Sequence, residues 1–417
     1  MHRQNWKTTA AFLGVSAGAL TVAALSAPPA YAWTDNDPAG VSQCSNPSIN
    51  NAGTVTGDCL VNNAKQGYVR ELSGTPTFLA PLASTSGGAP CGTTDVNNAA
   101  QGSETIIGWC TDANSVSQGV FWKGATPAAA PTLLQPLILD DQTIAAAVSA
   151  GGVIVGVSIN NIATETPVVW SSAGVATGLS PALLQSNANC TPADISDAAT
   201  PSIIGNCDDS GTGGGEKAVL WANQTSAYSV LPVPSGGNYC TASEINLSGQ
   251  ILGECTYADD SHRAVVWGAG GTGPSVLTTV GGAAVPRTYA VDINDSGVVA
   301  CDYLSGGGSA GFKEPCEWNP AGGNTNALAI TVPAGATGPA STTGIGNNGK
   351  IVGAYETAGG VGHPFRVESG STTAIDEGTP EGGPTTITTA ISTSGGYAVG
   401  TSEDTTEHNH DVGEVVN

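Results

Sequence analysis

The chain has 417 residues, 58 of them glycine, and sets 34 acidic side chains against 11 basic ones, a formal net charge of −23. That balance argues against nucleic acid and anionic membrane surfaces as partners, because so few Lys and Arg release few counterions and the net charge repels a polyanion. Charged residues make up only 11% of the chain, which suits an exported β-protein.

His2, Arg3 and Lys7 open the sequence, and an apolar run without charge follows from Ala10 to Leu25. Ala30-Tyr31-Ala32 then places small residues at both positions a signal peptidase reads, so residues 1–32 are expected to be a signal peptide cleaved before Trp33. The apolar run is shorter than the roughly twenty residues a bilayer core requires. The expected mature chain, 33–417, keeps every acidic residue and nine basic ones, a net charge of −25. It is expected to be secreted or periplasmic.

From there the chain repeats itself. An apolar anchor followed by a polar turn recurs at Ile49, Val96, Val148, Ile195, Ile245, Ile293, Ile345 and Ile391, at intervals of 47, 52, 47, 50, 48, 52 and 46. After each anchor comes a short apolar strand (TVTG, TIIG, VIVG, SIIG, QILG, VVAC, KIVG, YAVG). A third strand closes on an aromatic in most copies, at Trp122, Trp170, Trp221, Trp267, Trp318 and Phe365, with Tyr68 a weaker first copy beside Arg70. A looser fourth segment such as TLLQPL completes the unit. Asn, Asp and Gly suit tight turns between antiparallel strands, and the strands are short and β-branched. Four strands per unit is the count of a propeller blade, so the expected fold is all-β, a β-propeller of about eight four-stranded blades filling 33–417 as a single domain. Trp33 to Val41 could lend the strand that closes the ring. A seven-bladed ring with a terminal extension is the alternative.

The pattern A-x-x-I-N-x-x-G-x-I-V-G, followed by an aromatic-ending strand, resembles the HAF repeat of secreted bacterial proteins. Its best copies run from Ala242 to Trp267 and from Ala290 to Trp318. The resemblance implies an extracellular repeat architecture and no particular reaction.

Ten cysteines in an exported chain read as disulfides. Cys44, Cys91, Cys190 and Cys240 each precede an anchor by five residues, and Cys59, Cys110, Cys207 and Cys255 follow in the next strand. Antiparallel neighbours would bring them together as Cys44–Cys59, Cys91–Cys110, Cys190–Cys207 and Cys240–Cys255. Cys301 and Cys316 would join the second strand of their unit to the third. Each short loop closed contributes about 3 kcal/mol in the chain-entropy model. No C-x-x-C spacing favours thiolate-bound metal.

Trp33 and Trp109 lie off the register of the repeated aromatics and are the candidate ligand-binding residues, whereas the repeated tryptophans read as packing between blades. Turn acids Asp95, Asp194, Asp197, Asp292 and Asp295 could line one face of a ring and offer oxygens to calcium, but such side chains more commonly satisfy turn backbone. The pair His408 and His410 reads as a polar chain end. No G-x-S-x-G elbow occurs, and no catalytic residue is nominated. No cofactor other than calcium is suggested. The expectation is a monomeric extracellular binding or scaffold module for a glycan or a protein, leaning away from catalysis. The runner-up is a secreted carbohydrate-active enzyme with its site at the mouth of the ring.

Overall fold

Short β-branched runs separated by Asn and Gly leave little room for helix, and the computed structural model has no α-helix among its described residues. These residues are 34–415, apart from 39–40, 42, 72–73, 83–89, 180–188, 209–214, 306–310, 379–381, 393 and 405–408. The signal peptide, Trp33 and His408 lie outside them.

Eight four-stranded antiparallel blades follow one another along the chain; a parallel bridge between Lys217 and Cys240 joins blades 4 and 5 into one eight-stranded sheet, and the hairpin of Thr279–Val280 with Ala283–Ala284 adds two strands to the sheet of blade 6. Their first strands are Cys44–Ile49, Cys91–Val96, Asp140–Val148, Cys190–Ile195, Gly237–Ile245, Thr288–Ile293, Ala336–Ile345 and Gly382–Ile391. All eight contribute residues to one central cavity of about 610 Å³. The last blade takes its first three strands from Gly382–Ile391, Tyr397–Asp404 and Asn409–Val415, and its fourth from Thr34–Asp35 at the other end of the chain. Thr34 pairs with Gly413 and Asp35 with Val412. Borrowing a strand this way removes the free edge an open array would expose.

Between its first two strands every blade carries a register shift just before the anchor, for example between Ala242 and Glu244, Ala290 and Asp292, or Thr342 and Gly344. This β-bulge places an extra residue on the first strand and re-aims the residue before the anchor. The bulge explains the glycine that ends the second-strand motif. A Cβ on Gly108, Gly156, Gly205, Gly253, Gly353 or Gly400 would collide with a first-strand carbonyl oxygen. Blade 6 has Cys301 at this place, paired across the ladder with Cys316. The turn glycines that follow the anchors, Gly53, Gly102, Gly152, Gly249, Gly297, Gly349 and Gly395, all have φ between 73° and 79°, a region that favours glycine.

Apolar cores lie between blades, as in the cluster that joins Val155 and Val169 of blade 3 to Ile203, Val219 and Trp221 of blade 4. Trp122, Trp170 and Trp267 are fully buried and donate their indole N–H to Ala80, Gln135 and Pro232, carbonyls in the exit segment of the preceding blade. Trp318 donates to Asn324 of its own blade, and Trp221 packs edge-on against Tyr228. Two blades fill the same space differently. Tyr68 and Phe365 stand directly opposite Gly57 and Gly353, whereas Trp221 and Trp267 reach the corresponding glycine diagonally. Arg70 occupies the tryptophan position of blade 1 and binds Asn36 of the closing segment.

All ten cysteines are paired, as Cys44–Cys59, Cys91–Cys110, Cys190–Cys207, Cys240–Cys255 and Cys301–Cys316.

Candidate functional site

The central cavity is built by the bulges. The residue they turn inward, one before each anchor, is Ser48, Asp95, Ala147, Asp194, Glu244, Asp292, Gly344 or Ala390, so four blades supply a carboxyl and four a small side chain. Each carboxyl meets backbone of the following blade or of its own anchor. Asp194 accepts from the N–H of Ile195 at 2.7 Å and of Ile245 at 2.9 Å. Glu244 accepts from Ile293 at 3.1 Å and Asp292 from Ile345 at 2.7 Å. Asp95 accepts from Val96 at 2.8 Å and from the hydroxyl of Ser48 at 3.3 Å. These carboxyls therefore stitch blade to blade.

A second tier lies one residue after the anchor. Asn50, Asn97, Asn246 and Asn294 donate their amide to the carbonyls of Asn97, Ser149, Asn294 and Gly346 in the next blade, at 2.8–3.2 Å. The same side chains accept the N–H that closes their own turn, as from Thr54, Thr105, Gln250 and Val298. The asparagine of the repeat thus serves turn and ring together. A third tier reaches back around the ring: Asp197 accepts from Ala150 N–H of the preceding blade at 2.6 Å and from the Asn98 amide of the blade before that at 2.8 Å, and Asp295 accepts from Leu247 N–H at 2.9 Å. The ring closes in the same manner, with Ser394 N–H donating to Asn51.

No Lys, Arg or His is among the described residues lining the cavity. Burial raises the carboxyls, bringing Asp95 up to about 6 and Asp194 up to about 7, against the lowering effect of the N–H donors. Glu244 is held well above the usual carboxylate range by burial first and then by the negative charge of Asp292, with which it shares a hydrogen bond. Burial also raises Asp292. The two carboxyls therefore titrate as a pair that shares a proton. These carboxyls keep partial exposure to the cavity.

The structure brings together all five turn acids, Asp95, Asp194, Asp197, Asp292 and Asp295, and adds Glu244, which the sequence did not single out although it shares with Asp95, Asp194 and Asp292 the position before an anchor. Each of the five accepts at least one backbone N–H, and every lone pair so used is one fewer for a cation. His410 lies on the strand Asn409–Val415, opposite Ser402.

Trp109 stands apart from the buried tryptophans. It lies on the second strand of blade 2, between Gly92 and Gly119 in the ladder. Its indole passes so close over Gly92 that a Cβ there would sit 2.6 Å from the ring nitrogen. It is half-buried and lines a cleft of about 270 Å³ with Thr94, Gly108, Ser117, Gln142, Thr143, Ile144 and Ala145, between blades 2 and 3. Thr94 also lines the central cavity, so the two spaces adjoin.

No family model matches the chain, and no curated protein matches it. Solved structures do resemble it. The Dos1 propeller covers 92% of this chain and 94% of its own, at 8% identity and a TM-score of 0.52. A structure from an analysis of two prolyl endopeptidases aligns with 87% of this chain at 9% identity and a TM-score of 0.56, and this chain spans about half (52%) of it. A puromycin hydrolase S511A mutant aligns with 89% of this chain at 11% identity and a TM-score of 0.52, over 60% of its own length. At such identities the likeness concerns the fold, a β-propeller.

Proposed function

We propose that this propeller is an extracellular binding or scaffold module, released from the cell or held in the periplasm, and a member of the HAF-repeat proteins. The observation that carries the reading is the commitment of the channel acids. Every carboxyl before an anchor is bound to backbone N–H of a blade, which makes it part of the ring's joinery and not a free acid or base. A glycosidase pair needs two carboxyls held apart across a sugar, about 5 Å or 6.5–9.5 Å, whereas Glu244 and Asp292 hydrogen-bond to each other. Five disulfides within blades suit an oxidising compartment. No helix of the described residues is long and apolar enough to cross a membrane.

The test is to incubate the mature chain with a panel of insoluble polysaccharides and cell-wall fragments, scoring retention and released oligosaccharides together. Retention without release is the expected result. Release of oligosaccharides overturns the reading in favour of a carbohydrate-active enzyme.

A further inference from the structure

We propose that the cleft beside Trp109 binds an uncharged sugar ring of an extracellular glycan, an inference that rests on the binding-module reading and gives it a site and a ligand class. The first ground is the contrast among the tryptophans. Trp122, Trp170, Trp267 and Trp318 are fully buried with their indole N–H spent on backbone carbonyls. The Trp109 N–H has no hydrogen-bond partner among the described residues, and its ring opens on a cleft. Indole is useful where one side is apolar and the other wet, and here that side is left without a protein partner.

The second ground is what surrounds the indole. Thr94, Ser117 and Gln142 line the same cleft, and their side chains make no hydrogen bond to any described residue. Thr143, by contrast, is occupied, accepting from Gly119 N–H and donating to Leu134. The cleft therefore offers one aromatic surface, the apolar side chain of Ile144, and a rim of two hydroxyls and one amide with nothing to bind, while the indole nitrogen lies over Gly92, outside the cleft lining. A pyranose presents the matching pattern, a face of C–H bonds to lie on the indole and hydroxyls around its edge to meet the rim.

The third ground is charge. In a chain with 34 acidic residues, none of the lining residues of this cleft is ionisable. A charged ligand finds no counter-ion there, and an anionic one is repelled by the molecule as a whole. Complementarity thus selects an uncharged ligand. A volume of about 270 Å³ is near the lower end of ligand pockets, about 300 Å³, which suits one or two rings of a longer chain rather than a folded partner.

The experiment titrates the mature protein with cellohexaose, xylohexaose and mannohexaose, and with hexagalacturonate as an anionic comparison, using calorimetry and tryptophan fluorescence. At least one neutral hexasaccharide is expected to bind and hexagalacturonate is not. Trp109→Ala is expected to weaken that binding roughly tenfold or more, as loss of a central aromatic contact does. Gln142→Ala, on the rim and away from the blade core, is expected to weaken it less, and it decides the matter if Trp109→Ala fails to fold. Binding that is equal in the wild type and both variants overturns this site while leaving the binding-module reading intact. Failure of every neutral hexasaccharide to bind at millimolar concentration also overturns it, and retention on the polysaccharide panel then decides the broader reading separately. Cleavage of any hexasaccharide defeats the broader reading itself.

Discussion

Glu244 and Asp292 show how much of this ring depends on single protons. Two carboxyls in hydrogen-bond contact need a proton between them, and burial raises both, Glu244 further through the charge of Asp292. A carboxyl raised in the folded state binds its proton more tightly there than in the unfolded chain. Its contribution to stability is therefore full below the ordinary carboxylate range and is lost as pH climbs through the folded value. With Asp95 at about 6 and Asp194 at about 7, the loss falls between about pH 4 and 7. Asp112 and Asp259, held below the usual range by hydrogen bonds in their turns, act below that window. The urea midpoint of the mature protein is accordingly expected to fall from pH 5 to pH 8. Glu244→Gln keeps a donor for Asp292 and an acceptor for Ile293 N–H without needing the proton. It is expected to make the decline shallower and to raise stability at pH 8; parallel declines in the two proteins would refute the shared-proton account.

The repeat was legible at the level of elements because the signals are local. An Asn-Gly turn, a β-branched run and a closing aromatic each report on a few adjacent residues, and the spacing of Cys240 and Cys255 fits a ladder that directly pairs them. What the sequence could not display was the bulge, which depends on how one strand leans against another. Without it, Glu244 and the glycine at Gly253 had no visible purpose. The asparagine of the anchor motif was read as a turn residue, which is half of its role, since its amide bonds to a carbonyl about fifty residues away. Gly253 gives the bulge a direct test. A Cβ there meets the Thr241 carbonyl and the Trp267 ring, so Gly253→Ala is expected to destabilise the protein by about 1–3 kcal/mol, as overpacking does. Gly151→Ala, with its nearest atom at 3.8 Å, is expected to change the urea midpoint little. Equal effects of the two substitutions would deny the close approach.

For the whole molecule, the join between the chain ends rests on a short element, since the closing strand is two residues long. Arg70, standing where other blades place tryptophan, secures Asn36 beside that strand, so the first unit departs from the repeat at the place where it must hold the end of the ring. Candidate ligand groups at Trp109 and the stitched channel both presuppose that this ring is closed. Hydrogen exchange over residues 409–415 tests that closure most directly. In the mature protein these amides are expected to be protected, and in a chain beginning at Pro38 they should exchange roughly tenfold faster or more, while Cys240–Cys255 of blade 5 stays unchanged. Rapid exchange at 409–415 in the mature protein, or protection that survives removal of the closing strand, would contradict a ring closed by its own first strand.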